Sequence, residues 1–172
     1  MSLDSFISEN NILPGDIFLF DATPAVHLYE RFIAAVELLL GKGKETKAYY
    51  HVAMYVGNTN IVEAVWPKVH EVPIYFTKDF DVYRLKEYNA DIANQAVKNA
   101  IKKVGEHYAV GYFFTLGLWK EKNEEICSRL VWDSYNEANK KLTLPDYNFI
   151  TPEVLAASPD LTLHCKYRVN NG

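Results

Sequence analysis

Apolar positions along the chain recur at two spacings, and the switches between them mark out the elements. Residues 49–66, YYHVAMYVGNTNIVEAVW, alternate through Val52, Met54 and Val56, pause at Gly57-Asn58-Thr59-Asn60, and resume at Ile61, Val62, Val65 and Trp66. That pattern is a hairpin. Upstream, the turn residues Pro14-Gly15-Asp16 feed a short apolar strand, Ile17 to Phe20. The next segment changes to helical spacing, with Val26, Tyr29, Ile33, Val36 and Leu40 on one face. Thr23 can cap its start, Pro24 suits the first helical position and Gly41 its stop. VHEVPIYF and FDVYRL read as two further strands. Residues 89–105 predict a second helix, with Ile92, Ala96, Ala100 and Val104 on one stripe. Residues 126–140 predict a third, through Ile126, Leu130, Ser134 and Ala138. TPEVLAASPD is one capped turn and LTLHCKYRV a terminal strand. The segment EHYAVGYFFTLGLWKEKNEE is aromatic but aperiodic and reads as a loop, and the N-terminal MSLDSFISENN is polar. No repeat, low-complexity tract or linker interrupts the pattern. It predicts a single domain over residues 1–172, α+β in class, with a mostly antiparallel sheet.

Composition narrows the partners. With 172 residues, 49% hydrophobic and 23% charged, the chain can bury one sizeable core. A net charge of -4 argues against a nucleic-acid partner, whose protein surfaces are basic. MSLDSFISENN lacks the basic start of a signal peptide, and RFIAAVELLLG is broken by Glu37 and too short to span a bilayer. The expectation is a cytoplasmic protein without stable membrane insertion. Two cysteines, Cys127 and Cys165, are too few for a disulfide framework. His164 adjoins Cys165 without two further ligands at zinc-like spacing, so no metal is expected, and no cofactor either.

Three residues stand out against this background. Cys127 falls in the first turn of the third helix, where unpaired amides and the helix dipole favour an anion. His51 and Glu63 are polar intrusions at one end and deep in the second strand of an otherwise apolar hairpin. A three-residue turn over Gly57, Asn58 and Thr59 puts Val56 opposite Asn60 and Ala53 opposite Glu63, with His51 diagonal to Glu63 on the same face. A plain two-residue turn at Asn58-Thr59 would send them to opposite faces, so the pair requires a longer or bulged turn. Given that register, Glu63 holds one imidazole nitrogen and the other faces a thiolate. Spacing supports equally well a partly exposed hairpin face carrying a salt-bridged histidine, and a small buried cysteine.

The motifs carry a resemblance that separates these readings. LPGDIFLF followed by HVAMYVGNTNIVEA, GEHYAVGYFF and CSRLVW together resemble the NlpC/P60 cysteine hydrolases. The cysteine segment follows the histidine hairpin instead of preceding it, which resembles the circularly permuted YiiX/YebB-like branch. More distantly the order is similar to that of the lecithin:retinol acyltransferase group. The resemblance covers residues 13 to 135. It implies a papain-like fold with an antiparallel, partly barrel-like sheet packed against helices. It also implies a cysteine peptidase or amidase with Cys127 as nucleophile, His51 as base and Glu63 as the third member. Tyr108 matches the tyrosine that lines the oxyanion site in the unpermuted family. Ile126 replaces an acidic residue, Arg129 a glycine, and a longer aromatic insertion separates Tyr108 from Cys127.

The implied substrate is a small peptide, amino-acid amide or N-acyl amino compound, cleaved through a thioester. A lipid acyltransferase or phospholipase, and a binding module without turnover, are the alternatives. Tyr50 and Trp66, with Tyr49, Tyr112, Phe113 and Phe114, are candidates to wall a groove, though core is the commoner role for such rings. Glu63, Glu124 and Glu125 beside the net charge of -4 point to a cationic or zwitterionic group on the substrate. Arg129 points about 200° away from Cys127 around the helix and is expected to be solvated or ion-paired.

Overall fold

Strand β1, Ile17–Asp21, is apolar at every position but the last, and all five residues are buried. A strand covered on both faces belongs inside a sheet, and the computed structural model puts it there. The structure describes residues 3–21, 49–75, 77–109, 124–144 and 150–169. The other strands are β2 (Tyr49–Gly57), β3 (Asn60–Val65), β4 (Lys68–Pro73), β5 (Phe80–Leu85), β6 (His107–Tyr108), β7 (Glu124–Glu125) and β8 (Leu161–Tyr167). They form one sheet in the order β7-β6-β4-β3-β2-β1-β5-β8. Seven strands run antiparallel to their neighbours, and β7 adds in parallel to β6. The chain is α+β, as the pattern predicts. The order is linear, so among the described residues the sheet is open and the expected partial barrel is not seen.

Alternation along the strands sorts two cores. Ile17 and Leu19 share one with Val52 and Met54 of β2 and Val62 and Ala64 of β3. Helices α2 (Ala90–Lys102) and α3 (Cys127–Glu137) cover it with Ala96, Val97 and Ala100 and with Leu130 and Val131. Phe18 and Phe20 point the other way, into an aromatic core with Tyr55, Ile61 and Phe80. That face is met by helix α1 (Leu3–Glu9), whose Phe6 stands edge-on to Phe80 and Tyr167. Leu3, Phe6 and Ile7 provide the apolar side of α1, a helix that the polar composition of its segment hides.

Several boundaries differ from the pattern for local reasons. Asn89 accepts from the Asp91 and Ile92 amides, so α2 starts there, but it stops at Lys102 and leaves Val104 outside, largely exposed. Its buried arc is Ala93-Ala96-Val97-Ala100, rotated from the expected stripe. In α3, by contrast, Ile126, Leu130, Ser134 and Ala138 are all buried as expected. Strand β4 ends at Pro73, although the Ile74 amide still reaches Thr59 O. The aromatic stretch after α2 is not all loop, since β6 and β7 lie at its two ends. Two-residue strands carry no periodicity to read. Helix α4 (Pro152–Ala156) is the expected capped turn, with Thr151 accepting from the Val154 amide. The helix expected over 23–40 lies outside the described residues.

The Pro14-Gly15-Asp16 turn ties β1 to the helices. Gly15 has φ of +90°, and a Cβ there would meet Tyr135 Oη at 2.8 Å and Ala93 Cβ at 2.9 Å. Glycine is required on both counts. Tyr135 donates to Gly15 O at 2.6 Å, which joins α3 to the turn. Asp16 accepts from the Leu13 amide and takes Arg84 on both oxygens at 2.7 Å. Asp16 is fully buried and Arg84 nearly so. Removing one partner of a buried pair leaves the other charge uncompensated, at a cost of about 3–5 kcal/mol. Asp16→Ala is therefore expected to lower stability by up to about that amount in urea unfolding. A loss under about 1 kcal/mol would show that Arg84 finds another partner.

Candidate active site

The hairpin of β2 and β3 places the first two polar residues. Ala53 pairs with Glu63, as the register argument requires, although the turn reaches that register by another route. Asn58 and Thr59 form a two-residue turn with φ of 49° and 64°, and Gly57 pairs with Asn60. Such a turn requires positive φ at both positions. Val56 is then the odd residue, unmatched between Tyr55 and Gly57, and this irregularity does the work expected of a third turn residue. His51 and Glu63 thus share a face, one cross-strand step apart on the diagonal. His51 Nε2 meets Glu63 Oε2 at 2.7 Å, with both residues more than nine-tenths buried.

Cys127 is the first residue of α3. Ile126 before it is extended and gives the helix no side-chain cap, so the amides of the first turn have no competing side-chain acceptor there. Ser128 donates to Ile150 O at 2.6 Å and pins the turn to the segment leading into α4. The side chain of Cys127, 4% exposed, lies near enough to His51 to act on its charge. The three residues converge from the start of β2, the end of β3 and the start of α3. Burial opposes charge on His51, but the hydrogen bonds to Cys127 and Glu63 and their negative charge outweigh it, pushing its pKa up to about 10. Burial likewise acts to raise Glu63, yet the His51 bond and charge, the Tyr75 hydroxyl and His70 hold it below the usual carboxylate range.

The remaining candidates fall in different places. Tyr108 is buried on β6, opposite Glu125 and two residues from Cys127 along β7, and its amide donates to Pro67 O. Tyr50 lies beside His51. It is the extra residue where the β1–β2 register shifts, it is buried, and its ring stacks on His51 at 6.1 Å between centroids. Tyr49 is core, with its hydroxyl on Asp81. Trp66, 70% exposed at the β3–β4 turn beside Tyr108, is open to solvent at this end of the sheet. Tyr112, Phe113 and Phe114 lie outside the described residues. Glu125 is buried against Lys103 at 3.0 Å, so its charge does not face a substrate. Arg129 pairs with Asp133 at 3.2 Å, as expected.

Sequence reasoning missed Tyr75, Phe20 and His70. Tyr75 donates to Glu63 Oε2, Phe20 stacks on His51, and His70 pairs with Glu63 across β3 and β4. Phe20 pairs with His51 across β1 and β2, a register that only the fold supplies. Tyr75 falls inside the strand read over VHEVPIYF, but β4 ends at Pro73, so alternation does not say which way its side chain turns. Cys165 is half-buried on β8, and burial pushes its thiol up to about 11, so it is a poor nucleophile at neutral pH. Among the described residues, no group of three or more His, Cys, Asp or Glu could hold a metal ion. A thiol, an imidazole held by a carboxylate, and a helix start are the parts of nucleophilic acyl transfer.

Comparison with known proteins agrees with that chemistry. The family model described as permuted papain-like amidase enzyme, YaeF/YiiX, C92 family, matches residues 12–169. No curated protein matches the chain significantly.

Proposed function

The chain belongs to the permuted papain-like amidases of the YaeF/YiiX, C92 family and is a cysteine hydrolase, and we propose that Cys127, His51 and Glu63 carry its chemistry. The observation that supports the assignment most directly is the buried chain Cys127–His51–Glu63, with 2.7 Å between imidazole and carboxylate. In this reading the Cys127 thiolate attacks the carbonyl carbon of an amide. The oxyanion is received by the Cys127 backbone N–H, with Tyr108 beside it. His51, as imidazolium, protonates the leaving amine, and a thioester remains on the sulfur. His51 then takes a proton from water, which attacks the thioester and releases the acid. Glu63 keeps the ring oriented and its positive charge stabilised throughout. The 1–172 chain works as one hydrolase domain.

The substrate in this reading is a small peptide, an amino-acid amide or an N-acyl amino compound. Two features support it. The family is one of amidases, and no described helix is long and apolar enough to cross a membrane and hold the protein at a lipid surface. Turnover of a panel of aminoacyl p-nitroanilides is expected to exceed fatty-acid release from long-chain phosphatidylcholine vesicles. Faster release of fatty acid than of any amine would overturn the choice and make the protein a lipid hydrolase.

A further inference from the structure

Glu63 Oε2 accepts two hydrogen bonds, from His51 Nε2 at 2.7 Å and from Tyr75 Oη at 3.0 Å. A third contact closes the figure. Phe20 stacks on Tyr75 with 5.0 Å between centroids and 18° between planes, and on His51 with 5.6 Å and 28°. Phe20 is itself fully buried and braced by Phe80 at 5.6 Å. Imidazole, carboxylate, phenol and phenyl thus form a closed loop of contacts, drawn from β1, β2, β3 and the chain just after β4. Turning any one member breaks at least one contact.

We propose that Tyr75 is a positioning residue of the hydrolase, its hydroxyl fixing the Glu63 carboxylate and, through it, the His51 ring that faces Cys127. The proposal rests on the assignment of Cys127, His51 and Glu63 made above. A buried carboxylate needs donors, and Glu63 has one that is part of the reaction and one that is not. His51 loses and regains a proton at its other ring nitrogen during turnover, so its charge changes, whereas the Tyr75 proton stays in place. Burial and the Glu63 charge push Tyr75 ionisation far above its ordinary value, so the phenol remains a donor. Tyr75 therefore holds the carboxylate still while its other partner changes charge. Tyr50 and His51 of β2, His70 of β4 and Cys127 of α3 are the other titratable groups facing this pair.

Tyr75→Phe keeps the ring and its stack and removes only the donor. With p-nitrophenyl acetate as probe, kcat is expected to fall about tenfold with KM unchanged. The hydroxyl favours the charged form of Glu63, so its loss raises the carboxyl pKa. The acid limb of kcat/KM then moves upward by about half a pH unit, a shift that general loosening of the fold would not produce. Counting sites by iodoacetamide titration restricts kcat to folded enzyme. Wild-type kcat with an unmoved acid limb, or a rise in KM alone, would overturn the proposal. Cys127→Ala run beside it separates the two levels: if that variant stays active, the underlying assignment falls and the proposal with it. If it is dead while Tyr75→Phe behaves as wild type, only the positioning role is lost. Should Tyr75→Phe not fold, Phe20→Leu leaves the hydroxyl but loosens both stacked rings. It is expected to lower kcat without changing KM, and an unchanged kcat overturns the proposal.

Discussion

Cys127→Ala is expected to lower turnover of an aminoacyl p-nitroanilide by at least about 10⁴-fold while the protein stays folded. The thiol is the only group at the start of α3 that can form the thioester, and without it His51 has nothing to activate. What remains is binding and the amide at the helix start, which in such enzymes leave a small residual rate. Stability changes little, because the substitution removes one sulfur from a small side chain at a helix start, costing roughly 1–2 kcal/mol. The same residue is expected to be the one iodoacetamide modifies first at neutral pH, since His51 lies beside it. Cys165, pushed up to about 11 by burial, stays unmodified under those conditions. Peptide mass mapping reads both outcomes. A variant retaining more than about a tenth of the wild-type rate would remove Cys127 from the reaction.

Glu63→Gln is expected to reduce kcat/KM by about a hundredfold or more, though by less than Cys127→Ala. Glutamine keeps the shape and an acceptor for His51 Nε2 and Tyr75 Oη but not the charge. That charge is part of what keeps His51 protonated to about 10 in the wild type. The raised value sets the sign of the pH dependence. Imidazolium is present through neutral pH and is lost as pH rises through about 10, which places the alkaline limb of activity there. The stabilisation His51 contributes to the fold is complete below its ordinary value of 6.5 and fades over the same rise to about 10. In Glu63→Gln both changes move toward neutrality. Rate profiles from pH 5 to 11 with parallel unfolding curves test this. An alkaline limb that does not move would assign Glu63 to structure alone.

The candidate residues were more legible in the sequence than their setting. Cys127, His51 and Glu63 stand out because each breaks a local pattern and hairpin parity is computable from turn length. It is the motif order, through the family it resembles, that favours chemistry over structure. The turn itself came out as two residues plus an unmatched Val56, since Asn58 tolerates positive φ and Thr59 follows it into the same region. The setting of Tyr50 was hidden for a related reason. Strict alternation cannot foresee a register shift, and here one makes Tyr50 a buried neighbour of His51. The second helix was found but rotated, because alanines weigh little in a hydrophobic stripe and yet make up most of its buried arc. Tyr75 and Phe20 needed three dimensions. Their stacking depends on how β1 lies against β2 and where the chain travels after Pro73, neither of which spacing encodes.

Val56 makes the hairpin an arithmetic device. His51 and Glu63 stand on one face because the paired positions in β2 and β3 that flank them, such as Ala53 and Glu63, have numbers summing to an even total. A two-residue turn with a regular ladder would make that total odd. The unmatched residue restores evenness, as a check digit does. Loss of Val56 alone would leave both the Asn58-Thr59 turn and the Ala53–Glu63 pairing available, whereas one residue gained with no second irregularity would part acid from base. This hairpin can therefore change length by pairs, or singly by shedding or adding a bulge, and the reactive pair survives in either case. Surface turns usually drift in length without consequence. Here each single step has to be absorbed by a bulge.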